Sequence, residues 1–159
     1  MVEAAVLHRL LLFFIVLGIG ISSFAALEVV DPALQKGCTI NPLFSCQAVD
    51  ESGRTTVGPV PDWSIGLGGF VALLLVDLPL IRSYDERYLK AILGLSLIGV
   101  VASVYFTYVE VFEIGAICPV CLSAYLANVG VLAVALLLYR MRQHALETEA
   151  GSSDEASAA

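Results

Sequence analysis

Four long runs of apolar residues dominate the chain, at about Val6–Val30, Trp63–Ile81, Leu89–Phe112 and Ile117–Tyr139. Each run holds roughly 19–25 residues, and about 20 helical residues cross the hydrocarbon core of a bilayer. The runs are continuous rather than alternating, which reads as helix and not strand. Only helices and closed barrels cross lipid, because unpaired backbone groups are too costly there. Gly66, Gly68, Gly69, Gly94 and Gly99 would weaken soluble helices, but in membrane helices small residues let neighbours approach. Polar positions collect in the stretch 31–62, in a short link at 82–90, in a tight turn at 113–117 and in the last residues. The pattern predicts an all-α integral membrane protein: a four-transmembrane-helix bundle in one domain, residues 1–143. Residues 144–159 are small and acidic and predict a disordered tail.

Composition strengthens this picture. Of 159 residues, 58% are hydrophobic and 14% charged. Soluble domains carry about 25% charge, so one soluble core cannot absorb this apolar excess. The net charge of −7 rests mainly on the first loop and the tail. No basic stripe or nucleic-acid motif is present, which argues against a nucleic-acid partner.

Basic residues orient the bundle. Arg9, Arg82, Arg87, Lys90, Arg140 and Arg142 fall on one side, and Lys36 and Arg54 on the other. The positive-inside rule then predicts both termini in the cytoplasm and loop 31–62 outside. A signal peptide is the competing reading of the first run, since Ser23-Phe24-Ala25 resembles a cleavage site. The run continues to Val30, longer than a usual signal core, and a retained helix is expected.

The topology gathers all four cysteines on the outer, oxidising side: Cys38 and Cys46 in the loop, Cys118 and Cys121 at the start of the fourth helix. Cys118-Pro119-Val120-Cys121 is a C-x-x-C motif. Proline is favoured in the first helical position, which puts Cys118 at the N-cap, facing the positive end of the helix dipole. That position favours thiolate, the attacking species in disulfide exchange. Cys121 lies one turn deeper. Two bland alternatives stand beside this: structural disulfides, or a zinc site using all four cysteines, as His8 and His144 lie on the far side. No metal is expected. Cys38 and Cys46, taken alone, read as a structural pair; beside an outward C-x-x-C they read as a relay, because exchange needs a second dithiol within reach.

This constellation resembles the vitamin K epoxide reductase family, with its four-helix membrane bundle. A loop cysteine pair separated by seven residues and an outer C-x-x-C are both matched, and CPVCLSAYLAN matches the family stretch through Tyr125 and Asn128. The resemblance implies that Cys38 exchanges with a partner's dithiol and that Cys46 passes electrons to Cys118 through a transient disulfide. It implies further that Cys121 reacts with a bound quinone, of ubiquinone or menaquinone type. Tyr125, at i+4 from Cys121 on the same helix face, would hydrogen-bond a quinone carbonyl. At the start of the second helix, Ser64 and Ile65 match the family in register, while Asp62 or Trp63 stands where the family has asparagine. Many bacterial relatives carry a fused thioredoxin-like domain. None is read in these residues, so a thioredoxin-like partner is expected to act in trans. Another bacterial membrane oxidant places its C-x-x-C before the spaced pair; the reversed order agrees with the vitamin K family.

The expected function is therefore a dithiol:quinone oxidoreductase of the cell membrane that promotes disulfide formation in exported proteins. Reduction of vitamin K epoxide or quinone for its own sake is the alternative within the family. From a different class, a non-enzymatic bundle stapled by disulfides would carry the same cysteines. Among other polar residues, Asp77 is expected to pair structurally with Arg82, and Pro79 to kink or end its helix. Glu110 and Glu113 are expected on a solvated rim.

Overall fold

The computed structural model describes residues 2–57, 59–82 and 85–158. Helix α1 spans Val2–Val30; the long loop then folds into two short helices, α2 (Pro32–Cys38) and α3 (Cys46–Glu51), and a two-stranded antiparallel hairpin, β1 (Thr56–Val57) with β2 (Val60–Pro61). Helix α4 spans Asp62–Arg82 and α5 spans Glu86–Tyr108. A π-helical turn follows at Val109–Ile114, and α6 runs from Pro119 to Ala158. Four segments are long and apolar enough to cross a membrane: Glu3–Val30, Asp62–Leu80, Glu86–Ile114 and Pro119–Thr148.

The four long helices close into a ring. Helix α1 packs on α4 and α6, and α5 packs on the same two. Leu11 and Ile15 of α1, Phe70 and Leu73 of α4, Ile92 of α5, and Val131 and Ala135 of α6 meet in the buried centre. Large apolar side chains on the opposite faces, such as Phe13, Leu75, Ile98 and Leu126, stay exposed. That inside-out distribution suits a chain whose outer solvent is lipid, where helices associate by close packing rather than by the hydrophobic effect. Gly18 provides such a close approach: a Cβ there would overlap the buried Phe70 ring.

Polar groups inside the ring are paired across it. Asn128 of α6 donates from Nδ2 to the Ser96 carbonyl of α5 at 3.1 Å. The fully buried Asp77 meets His8 Nε2 of α1 at 3.0 Å. This pairing ties two helices together; the expected pairing with Arg82 lies outside the described residues, because the Arg82 side chain does. An intramembrane carboxylate needs a partner across the bundle because none is offered by lipid.

Helix α4 runs on through Pro79 to Arg82. One expectation is corrected. The tail, read as disordered from composition, continues α6 to Ala158. Its alanines and glutamates are good helix formers, and the membrane helix before it supplies the nucleus, which is the costly part of helix formation.

The packing at Gly18 generates a paired expectation. Gly18→Ala should destabilise the bundle by about 1–3 kcal/mol, the usual cost of overpacking. Gly20→Ala, two residues on where a Cβ meets open space, should be neutral or stabilising by up to about 1 kcal/mol through helix propensity. Thermal unfolding of both variants in detergent checks this, and equal shifts would refute the close-approach reading.

Candidate functional site

The site begins with local turn chemistry in the long loop. Asn41 folds the chain back on itself by accepting from the backbone N–H groups of Leu43 and Phe44, both at 2.9 Å. The reversed segment then pairs with the residue before the C-x-x-C: Ile117 N–H donates to Leu43 O at 2.7 Å, and Ser45 N–H donates to Ile117 O at 3.1 Å. Immediately after this parallel bridge the chain enters α3 on one side and α6 on the other. Ser45 caps α3 by accepting from Ala48 N–H at 3.1 Å. The bridged pair is Phe44 and Ile117; Cys118 follows Ile117 directly and Cys46 follows Ser45, whose N–H is bonded to Ile117, so the bridge brings the two cysteines together.

Cys118 is the residue before the first turn of α6, with Pro119 as its first residue, as expected. Its carbonyl accepts from Leu122 N–H at 3.0 Å, and its sulfur accepts from Cys121 N–H at 3.2 Å. The Cys118 backbone N–H is held by Glu110, whose Oε2 accepts it at 3.0 Å. Glu110 is buried, not on the rim. The π-helical turn re-aims it inward, and Gly115, with φ of 75°, closes that turn in a left-handed conformation that favours glycine. Without this carboxylate the buried N–H would be unpaired, which costs about 1–3 kcal/mol. Glu113 does stay exposed, where it pairs with Arg54 of the loop at 2.6 Å.

Cys38 and Cys46 form a disulfide, and Cys118 and Cys121 are free thiols. Cys46 Sγ and Cys118 Sγ lie 3.5 Å apart, both buried. The sulfurs of Cys38, Cys46 and Cys118 fall within 4.8 Å of one another. Two of those three are bonded to each other, so in this state the cluster is arranged for thiol–disulfide exchange. A four-cysteine zinc site would require that bond to be absent.

Cys121 faces inward, toward the bundle. Its thiol points to Asp62 Oδ2 at 3.7 Å, and both residues line a cavity of ≈ 240 Å³ between the helices. Trp63, Tyr125 and Asn128 also line it, together with apolar side chains including Phe70, Ile98 and Phe106. Ser64 is not brought to the cavity; its hydroxyl donates to Pro61 O at 2.7 Å at the start of α4. Asn128 reaches the wall with its amide N–H already engaged by α5, so it ties helices as well as lining the space. A smaller polar chamber lies on the loop side, lined by Glu28, Asp50, Cys46 and Cys118 among others. At its lip, partial burial holds the Asp50 carboxyl above its ordinary range, opposed by a hydrogen bond from Gln35 at 3.3 Å.

The model of the vitamin K epoxide reductase family matches residues 9–136. The chain belongs to that family. Comparison with curated proteins gives no match. Membership makes this four-helix chain a membrane oxidoreductase of disulfide and quinone chemistry, in keeping with its sulfur cluster beside an apolar cavity. Sequence reading of this family member passed over Glu28 and put Glu110 on the rim. Both are carboxylates within or at the end of apolar runs, where ionisable groups are functional candidates by default. That signal was available for each of them.

The 3.5 Å approach yields a trapping experiment. A Cys38→Ala/Cys121→Ala double variant retains only Cys46 and Cys118. Mild oxidation should link them within the chain, read as a crosslinked peptide by mass spectrometry. Absence of that link would mean that the two sulfurs do not meet in the working protein.

Proposed function

We propose that this protein is a membrane thiol:quinone oxidoreductase that carries electrons from an extracytoplasmic thioredoxin-like partner to a quinone of the ubiquinone or menaquinone type. The single observation that carries the reading is the 3.5 Å approach of Cys46 to Cys118, one helical turn from Cys121 at the cavity wall. Electron transfer by exchange needs adjoining sulfurs, and here they adjoin.

In this reading the partner's thiolate attacks Cys38, breaking the Cys38–Cys46 bond and releasing Cys46 as thiolate. The partner's second thiolate then releases Cys38 and leaves the partner oxidised; Cys46 attacks Cys118 of the Cys118–Cys121 disulfide, expelling Cys121 as thiolate, and Cys38 attacks Cys46 to release Cys118. The loop pair is left oxidised and Cys118 and Cys121 reduced. A quinone supplies a two-electron, two-proton acceptor for that dithiol. The cavity suits a flat, apolar ring with a carbonyl edge: its walls are mainly apolar, and Cys121 and the Tyr125 phenol share one face. Asp62 and Trp63 line it from the start of α4, with Asp62 beside Cys121. Cys38, Cys46, Cys118 and Cys121 are the reacting residues; Tyr125, with Asn128, Asp62 and Trp63, forms the binding site. The distribution of basic residues supports cytoplasmic termini and an extracytoplasmic cysteine end. The net effect is disulfide formation in exported proteins, carried out by one membrane redox domain.

Purified protein given dithiothreitol and a soluble quinone tests this. Wild type should turn over, and Cys118→Ser and Cys121→Ser should each abolish turnover. A disulfide-stapled, non-enzymatic bundle would give no quinone reduction in any form. Turnover of vitamin K epoxide in preference to quinone would move the reading to the family's epoxide chemistry.

Tyr125→Phe separates binding from exchange. Loss of one neutral hydrogen bond costs about 0.5–1.5 kcal/mol, so the quinone KM should rise roughly two- to tenfold. An unchanged KM with slower reduction of Cys38–Cys46 would assign Tyr125 to the relay or the fold instead.

A further inference from the structure

Electrons and protons take different routes through a chain of sulfurs. Disulfide exchange moves electron pairs between thiolates, leaving protons to solvent or to nearby bases. Reduction of a quinone by two electrons also consumes two protons. An apolar cavity inside a helix bundle has no bulk water to supply them.

Two cavities meet at Asp62. Asp62, Trp63, Cys121 and Ala25 line both the apolar cavity and the loop-side polar chamber. Asp62 is thus in the wall that the two spaces share, with Oδ2 at 3.7 Å from the Cys121 sulfur. Its other oxygen is held by Trp63 N–H at 2.7 Å, which fixes the carboxyl in that wall. Across the chamber stands Glu28 of α1. It is only 5% exposed, and its Oε1 has no hydrogen-bond partner among the described residues. A buried carboxyl oxygen with nothing to bond is costly unless water or a proton occupies the space beside it. Asp50 stands at the exposed lip of the same chamber. Glu28, Asp50 and Asp62 therefore line one chamber, and Asp62 reaches the sulfur that faces the cavity.

We propose that Glu28 and Asp62 carry protons from the outer aqueous side to the quinone cavity, with Asp62 as the group that delivers them beside Cys121. The proposal rests on the thiol:quinone reading above. Per turnover, the Cys118–Cys121 dithiol is oxidised to a disulfide and a quinone is reduced to hydroquinone. The two electrons leave the sulfurs. The thiol protons or their equivalents pass through Asp62 to the quinone oxygens, and the chamber restores the protons lost when the partner's thiols were oxidised outside. Titratable groups facing Asp62 are Glu28 from α1, Asp50 from α3, Glu110 from the π-helical turn, and Cys118, Cys121 and Tyr125 from α6.

The test uses the full chain in nanodiscs with a soluble ubiquinone analogue and dithiothreitol. Asp62→Asn should lower kcat about a hundredfold, in the range of a lost proton-transfer group. Its quinone KM should stay within about threefold of wild type, less than one lost hydrogen bond would allow at its upper limit. Asp62→Glu should recover part of the rate with an altered pH profile. Glu28→Gln, an independent variant, should lower kcat and steepen its fall toward high pH. An infrared difference spectrum between oxidised and dithiothreitol-reduced protein, without quinone, should contain a carboxyl band that both Asp62→Asn and Glu28→Gln diminish. A raised KM with kcat intact would leave Asp62 a quinone contact only and overturn the proton role. Wild-type kcat in both variants, or an unaltered carboxyl band, would overturn it too. Wild-type protein that reduces no quinone defeats the functional reading itself, and the proton path with it.

Discussion

One short backbone bridge governs the redox end of this protein. Leu43 and Ser45 grip Ile117 through two hydrogen bonds of 2.7 and 3.1 Å. Two segments more than 70 residues apart are thereby joined just before each reacting cysteine. Side-chain forces alone would hold a 32-residue loop loosely over the bundle, since long surface loops are cheap to open. Main-chain pairing fixes position and direction together. The capping of α3 by Ser45, the Arg54–Glu113 pair and the Glu110 contact to Cys118 all act on segments that this bridge has already aligned.

The architecture was legible because lipid imposes a simple rule. Four apolar runs of bilayer length leave few alternatives, although α6 continues well past its run, to Ala158. The C-x-x-C was equally plain, because Pro119 marks a helix start wherever it follows a capping residue. What sequence could not give was any distance across the bundle. Periodicity puts Cys121 and Tyr125 on one face of α6, but Asp62 reaches that face from another helix. Glu110 was misjudged for a related reason. In a regular helix its direction follows from counting residues, and the π-helical turn breaks the count. His8, which meets Asp77 from a different helix, is likewise beyond the reach of residue counting.

The cavity and the chamber divide the site by the side chains that line them. On the loop side, Glu28, Asp50 and Thr55 surround the exchanging sulfurs, whose chemistry needs thiolates and proton acceptors. On the bundle side, aromatic and aliphatic side chains surround a space suited to a lipid-soluble ring. Cys121 is shared by both. A sulfur at such a boundary can be reduced from a polar neighbour and oxidised by an apolar one without moving far.

The His8–Asp77 contact lies away from all of this chemistry, yet it constrains how the sequence can drift. Removing one member of a buried ionisable pair is strongly destabilising. Replacing both by apolar residues of similar volume is close to neutral. Neither position is therefore free to change first by a polar-to-apolar step. Across divergent chains the two should be inherited as a unit, kept together or lost together, although 69 residues separate them in sequence.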